Sequence, residues 1–166
     1  MRMQLSTHID APAEAVFAAA SDFPNATAMV EGINAVEMLS PANDGSPIGV
    51  GTRFRETRTM MGKQATEEME VSTFDPPHSY TLSALSCGVK FDSKVEVIPD
   101  GQGCRLGYDI LGVPTTLFAR VVGAIMTPLM KGSMRKAMEK DLSDIKAYVE
   151  NGQAGSSHPG QHQTEV

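Results

Sequence analysis

Tryptophan is absent from the 166-residue sequence, and aromatic residues make up only 5% of it. Large rings therefore supply little of the apolar surface, and 11 methionines put flexible thioethers in their place, either as core filler or as a deformable binding surface. Cysteine occurs only twice, too rarely for a disulfide framework. Cys87 and Cys104 bracket a predicted strand, Val89 to Ile98, which sets them roughly 30 Å apart at about 3.3 Å per residue. Neither has a Cys-x-x-Cys partner or a neighbouring histidine, so both read as free thiols without a metal or redox role. No window approaches the roughly 18 uncharged apolar residues of a membrane span, and the N-terminus lacks the basic and apolar regions of a signal peptide. A cytoplasmic protein with no integral membrane segment is expected. Lys and Arg number 14 against 20 Asp and Glu, a formal charge of -6. Without clustered cations, a nucleic-acid partner is excluded. Histidines at 8, 78, 158 and 162 form no group with metal spacing, and no Gly-x-Gly-x-x-Gly, Walker-type loop or Gly-x-Ser-x-Gly elbow is present. No metal and no cofactor are expected.

What is there has the length of one domain, residues 1–150, followed by a polar, Gly-rich tail, 151–166, that reads as disordered. Met3 to His8 alternates as a half-buried strand. Asp10 offers an N-cap oxygen and Pro12 a first turn to a helix over Ala13 to Ala20, whose Val16, Phe17 and Ala20 share one face. Asp22-Phe23-Pro24 leads a short helical turn to Met29. Strands are predicted at Ile33–Ser40, Thr52–Met61, Gln64–Phe74, Ser79–Ser86, Val89–Ile98 and Cys104–Leu111, separated by turn chemistry and hence antiparallel. From Thr115 or Thr116 apolar residues recur at spacings of three and four to Val149, the longest element, with a kink or break expected near Thr127 because Pro128 removes a helical hydrogen bond.

Several of these pieces carry a family resemblance. Ile9-Asp10-Ala11-Pro12-Ala13-Glu14-Ala15-Val16-Phe17, Asp22-Phe23-Pro24, Gly49-Val50-Gly51-Thr52-Arg53-Phe54 and Phe74-Asp75-Pro76-Pro77 resemble the START-like pattern of polyketide cyclase, SRPBCC and Bet v 1 relatives, over residues 1 to about 150. The resemblance implies an α+β helix-grip fold: a curved antiparallel sheet of about seven strands, two short helices, and a long kinked C-terminal helix over a cavity. It implies an apolar small-molecule ligand, and leaves open a carrier, a cyclase or dehydratase, or a chaperone-activator-like interaction module. Monomer and homodimer are both open.

Candidate site residues follow from strand facing. If Phe54 and Met69 point at the cavity, the two-residue period also turns Glu56, Arg58, Met60 and Glu67 inward. A Gly62-Lys63 loop would set Arg58 opposite Glu67 and Phe54 opposite Val71. The alternative Met61-Gly62 loop would oppose Glu56 to Glu67, a like-charge pair, with no glycine at the first loop position. Buried, Glu56, Arg58 and Glu67 would make a polar cluster able to orient a ligand carbonyl or move protons; on a solvated hairpin they would be ordinary surface ion pairs. Tyr80, Phe91, Val95, Leu106, Tyr108 and Ile110 share an inward face, and Tyr108 would bind either a ligand or a neighbouring backbone group. Val122, Met126, Met130 and Met134 would cover the space from the last helix.

Overall fold

The computed structural model describes residues 1–60 and 62–152, and the side chains of all of these except 60, 122 and 125–130. Seven strands form one antiparallel sheet: β1 (Arg2–Ile9), β2 (Ile33–Ser40), β3 (Arg53–Met60), β4 (Lys63–Asp75), β5 (Ser79–Ser86), β6 (Val89–Asp100) and β7 (Gly103–Pro114). Their spatial order is β1-β7-β6-β5-β4-β3-β2. Every strand after β2 thus lies beside its predecessor, as short turns require, and β1 closes onto β7 while the helices α1 (Ala13–Ala20) and α2 (Ala26–Met29) bridge from β1 to the far edge at β2. The helix α3 (Leu117–Glu150) completes the helix-grip arrangement. Its N-cap is Thr116, whose side chain accepts from the Ala119 amide. The element runs through Pro128 as one helix, so the expected break is not present. Of the expected disordered tail, 151–166, residues 151 and 152 form a turn and 153–166 lie outside the described residues.

The core sits between the inner face of the sheet, α1 and the second half of α3. Ile9, Val16, Val71 and Leu106 are fully buried there, with Leu142, Ile145 and Val149 arriving from α3. Aromatic rings, though few, concentrate in this layer: Phe23 stacks on Phe54 at 4.6 Å, and Phe17 and Phe23 each meet Tyr80 edge-on. The Tyr80 hydroxyl donates to the Ala20 carbonyl at 2.6 Å, satisfying the end of α1 from the middle of the sheet.

Two local readings are corrected. Asp10 does not cap α1: Pro12 holds the N-cap position, and no side chain makes a capping bond. The Asp10 amide instead donates to Glu150 Oε1, tying the end of β1 to the last turn of α3. In the β3–β4 hairpin, Phe54 pairs with Met69, Glu56 with Glu67, Arg58 with Ala65 and Met60 with Lys63. The loop is therefore Met61-Gly62, not Gly62-Lys63. Gly62 has φ 74°, a conformation that glycine adopts without a steric cost and lysine does not. The same device closes β5–β6, where Cys87 at φ 49° and Gly88 at φ 74° form the two-residue loop, twisted to suit the strands it joins.

Candidate functional site

Between the inner face of the sheet and α3 lies a cavity of about 240 Å³. Its walls are mainly apolar: Phe54, Met69, Leu82, Phe91 and Val95 from the strands, Phe23 and Val30 from the first helical segments, and Met134, Met138 and Ile145 from α3. Strand alternation delivers these side chains, because residues two apart on β3 and β4 face the same way. The alternation also delivers Glu56, Arg58 and Glu67, and all three line the cavity. Glu56 and Arg58 are largely enclosed, with side-chain exposures of 14% and 16%, whereas Glu67 is exposed.

Arg58 does not pair with Glu67, as the other register would have had it. Its terminal Nη2 donates to Asp141 Oδ2 on α3 at 2.7 Å, and its Nε lies 3.0 Å from Glu56 Oε1. Asp141 is buried and was not among the candidates from sequence. A signal was present: Asp141 stands three residues after Met138 and four before Ile145, so it occupies the buried stripe of α3, where an acid needs a partner. Arg58 reaches it across 83 positions of sequence.

Two carboxylates and one guanidinium leave this cluster one negative charge in excess. Burial pushes the Glu56 carboxyl up, Arg58 offsets part of that, and Asp141 and Glu67 add to it. Asp141 is raised in the same sense, by burial first and against the pull of Arg58. Burial opposes the charge of Arg58, but Asp141 and Glu56 more than compensate, and its acidity falls. The cluster is thus able to hold an extra proton more readily than isolated carboxylates would.

One buried donor at this cluster lacks a partner among the described residues. Arg58 Nε is buried and, despite its closeness to Glu56, makes no aligned hydrogen bond. The Tyr108 ring lies on the same inner face and lines the same cavity, while Tyr80 is the ring anchored to backbone. Burial raises the Tyr108 phenol well above its ordinary range, with Tyr80 and Asp141 adding and Arg58 opposing, so it stays a neutral donor. Val95 and Ile110 also face the cavity as expected, while Leu106 is packed in the core beside it. Val122, Met126 and Met130 are predicted contacts whose side chains lie outside the described set, as does that of Met60. A larger groove, about 650 Å³, runs between β1, β7 and α3 behind Tyr108. It is lined largely by polar and charged side chains such as Glu96, Arg105, Arg135 and Glu139, and Tyr108 borders both spaces.

The model of the family described as polyketide cyclase / dehydrase and lipid transport matches residues 1–150. The chain belongs to that family. Among solved structures it is similar to the Zhui aromatase/cyclase from Streptomyces sp. R1128, with a TM-score of 0.72 at 14% identity, covering 95% of this chain and 98% of that one. TTHA0849 from Thermus thermophilus gives 0.70 at 20% identity over 95% and 100%. The ginseng major latex-like protein 151 from Panax ginseng gives 0.71 at 14% over 89% and 96%. At these identities the likeness is one of fold. No curated protein matches the sequence. As a member of the polyketide cyclase / dehydrase and lipid transport family, the chain has the ligand-binding or cyclase-type character that the family shares, and no helix among the described residues is long and apolar enough to cross a membrane.

Proposed function

We propose that the chain binds a compact apolar molecule in the cavity between sheet and α3, with one acceptor group of that molecule turned toward Arg58 Nε and the Tyr108 hydroxyl. The observation that carries this reading is an apolar cavity lined by Arg58, whose buried Nε makes no hydrogen bond among the described residues, and by the Tyr108 ring. At about 240 Å³ the space falls below the roughly 300–1,000 Å³ of drug-sized sites, which favours a ring compound with a carbonyl or hydroxyl over a long-chain lipid. Excess negative charge at Glu56 and Asp141 disfavours a carboxylate or phosphate ligand.

A second reading rests on one further observation. Glu56 has its acidity lowered by burial beside an Arg58 Nε that makes no aligned hydrogen bond, the arrangement of a general base next to an oxyanion partner. Under that reading the bound carbonyl compound is enolised, as a cyclase or dehydratase requires, and Glu67, exposed at the cavity, is a less effective base.

Thermal unfolding against a panel of hydroxy- and keto-aromatics and of fatty acids tests the binding. A ligand at 100 times its Kd adds about 2.7 kcal/mol of stability, and Arg58→Met and Tyr108→Phe should each weaken binding about fivefold to tenfold. Stabilisation by fatty acids alone, or by no compound, would overturn the proposal. Turnover of a bound ketone that Glu56→Gln abolishes with binding retained would establish the second reading; a bound but unchanged ketone would dismiss it.

A further inference from the structure

At the end of the molecule away from the core, three chain segments leave apolar side chains in solvent. Leu85 is 71% exposed just before the β5–β6 loop, and Leu117 and Phe118 are 75% and 77% exposed in the first turn of α3. Val121 follows on the helix, and Val113 and Leu111 on the last part of β7 are exposed as well. The register makes these neighbours: Leu85 pairs with Lys90, and Lys90 with Val113, so the three form one row on the outer face of the sheet. The start of α3 is fastened to the same loop, since the Thr115 amide and hydroxyl both donate to the Gly88 carbonyl at 2.8 Å.

Charge is distributed unevenly in the same direction. From Ile110 to Met138 the chain has no acidic residue, but it has Arg120, Lys131, Arg135 and Lys136. This segment therefore carries +4 in a chain of -6, against -10 for the remainder. Of the four cations only Arg135 has a carboxylate partner among the described residues, Glu139 at 2.9 Å. Arg120 and Lys131 are eleven positions apart, three helical turns, and so share a face of α3. The acids nearest the exposed rows are already engaged: Asp92 with Lys90 at 3.4 Å and Asp109 with Arg2.

We propose that this end of the protein docks on an anionic lipid surface, with Leu85, Leu117, Phe118 and Val121 entering the headgroup layer and Arg120 and Lys131 set against lipid phosphates. The apolar side chains stand out from the ends of β5, β7 and α3 and do not line a groove, so a protein partner would need a preformed surface shaped to all of them, whereas a fluid bilayer surface closes around them. Arg120 beside the apolar tips, and Lys131 three turns along the same face of α3, match the negative potential of an acidic leaflet. The inference goes beyond the cavity reading and does not depend on it.

Flotation of the full chain with vesicles of phosphatidylcholine alone, and of phosphatidylcholine with about 30 mol% phosphatidylglycerol, tests the proposal with no cavity ligand present. Recovery with the anionic vesicles, lost from the neutral ones and lost in high salt, is the expected result. The Leu117→Ser/Phe118→Ser pair should reduce recovery at least about tenfold. These side chains are in solvent, and circular dichroism checks that the fold is kept; Arg120→Glu/Lys131→Glu, in which no core residue changes, must show the same loss. Failure to float with anionic vesicles overturns the proposal. So does flotation that ignores both pairs of substitutions, or an oligomer that Leu117→Ser/Phe118→Ser dissolves without any vesicle binding, which would mark a contact between copies. Thermal shifts by cavity ligands are read separately, so either conclusion can fall alone.

Discussion

Removing the Arg58 guanidinium should expose how the inner cluster is held together. In Arg58→Met the apolar stem is kept, but Glu56 and Asp141 remain behind the sheet without their cation. The side chains involved retain exposures of only 16%, 14% and 11%. Breaking a buried pair from one side costs about 3–5 kcal/mol; the small residual hydration places this case at the lower end, about 3 kcal/mol at pH 8. For a domain of this size that lowers Tm by roughly 6–12 °C. The loss must depend on pH. Both carboxyls are already raised in the folded protein, so the native state holds protons that the unfolded chain releases, and stability falls as pH rises from about 4 through their folded values. Without Arg58 both rise further, so protonation at low pH relieves part of the deficit. Urea unfolding at pH 4.5 and pH 8 should therefore give a deficit that is full at the higher pH and smaller at the lower. An equal deficit at both values, or none, would refute the reasoning. Replacing all three residues by Leu, Met and Leu should restore wild-type stability or exceed it.

Phe54 is 1% exposed and stacked on Phe23, and Phe54→Ala should cost about 3–5 kcal/mol in chemical denaturation; a loss under about 1 kcal/mol would mean that the stack collapses freely. Tyr80→Phe removes the 2.6 Å bond to Ala20 and orphans a buried carbonyl, an expected loss of about 1–3 kcal/mol, with the amides at the end of α1 exchanging hydrogen faster. Cys87 is exposed and Cys104 buried, so a thiol reagent should label one site in the native protein and the second only on unfolding; simultaneous labelling would contradict the packing of β7.

Most of the architecture was legible because turns punctuate it. Asp, Gly and Pro clusters separate apolar-alternating runs, and β2 and β5 begin and end where those runs do. The β3–β4 register was not legible, because two local rules conflicted. The expectation weighed the repulsion of Glu56 facing Glu67 and favoured Gly62-Lys63; the fold instead sets Gly62 at positive φ in the second loop position and moderates the repulsion through Arg58. Arg58 is in turn held by Asp141, whose contact with the hairpin forms only once α3 closes over the sheet, and no nearest-neighbour rule reaches so far along the chain. The inward facing of Glu56 and Arg58 survived the misplaced register because both registers keep the parity of β3. Asp10 shows the same limit at the surface: a good capping residue gave its amide to the far end of α3 instead.

Tyr108 borders the inner cavity on one side and the charged groove along β1 and α3 on the other. One ring therefore serves as a partition, and the extent of the apolar space depends on whether that ring stays in place. Were it trimmed to alanine, the two spaces would join, and the apolar cavity would gain a charged annex without a change in any strand.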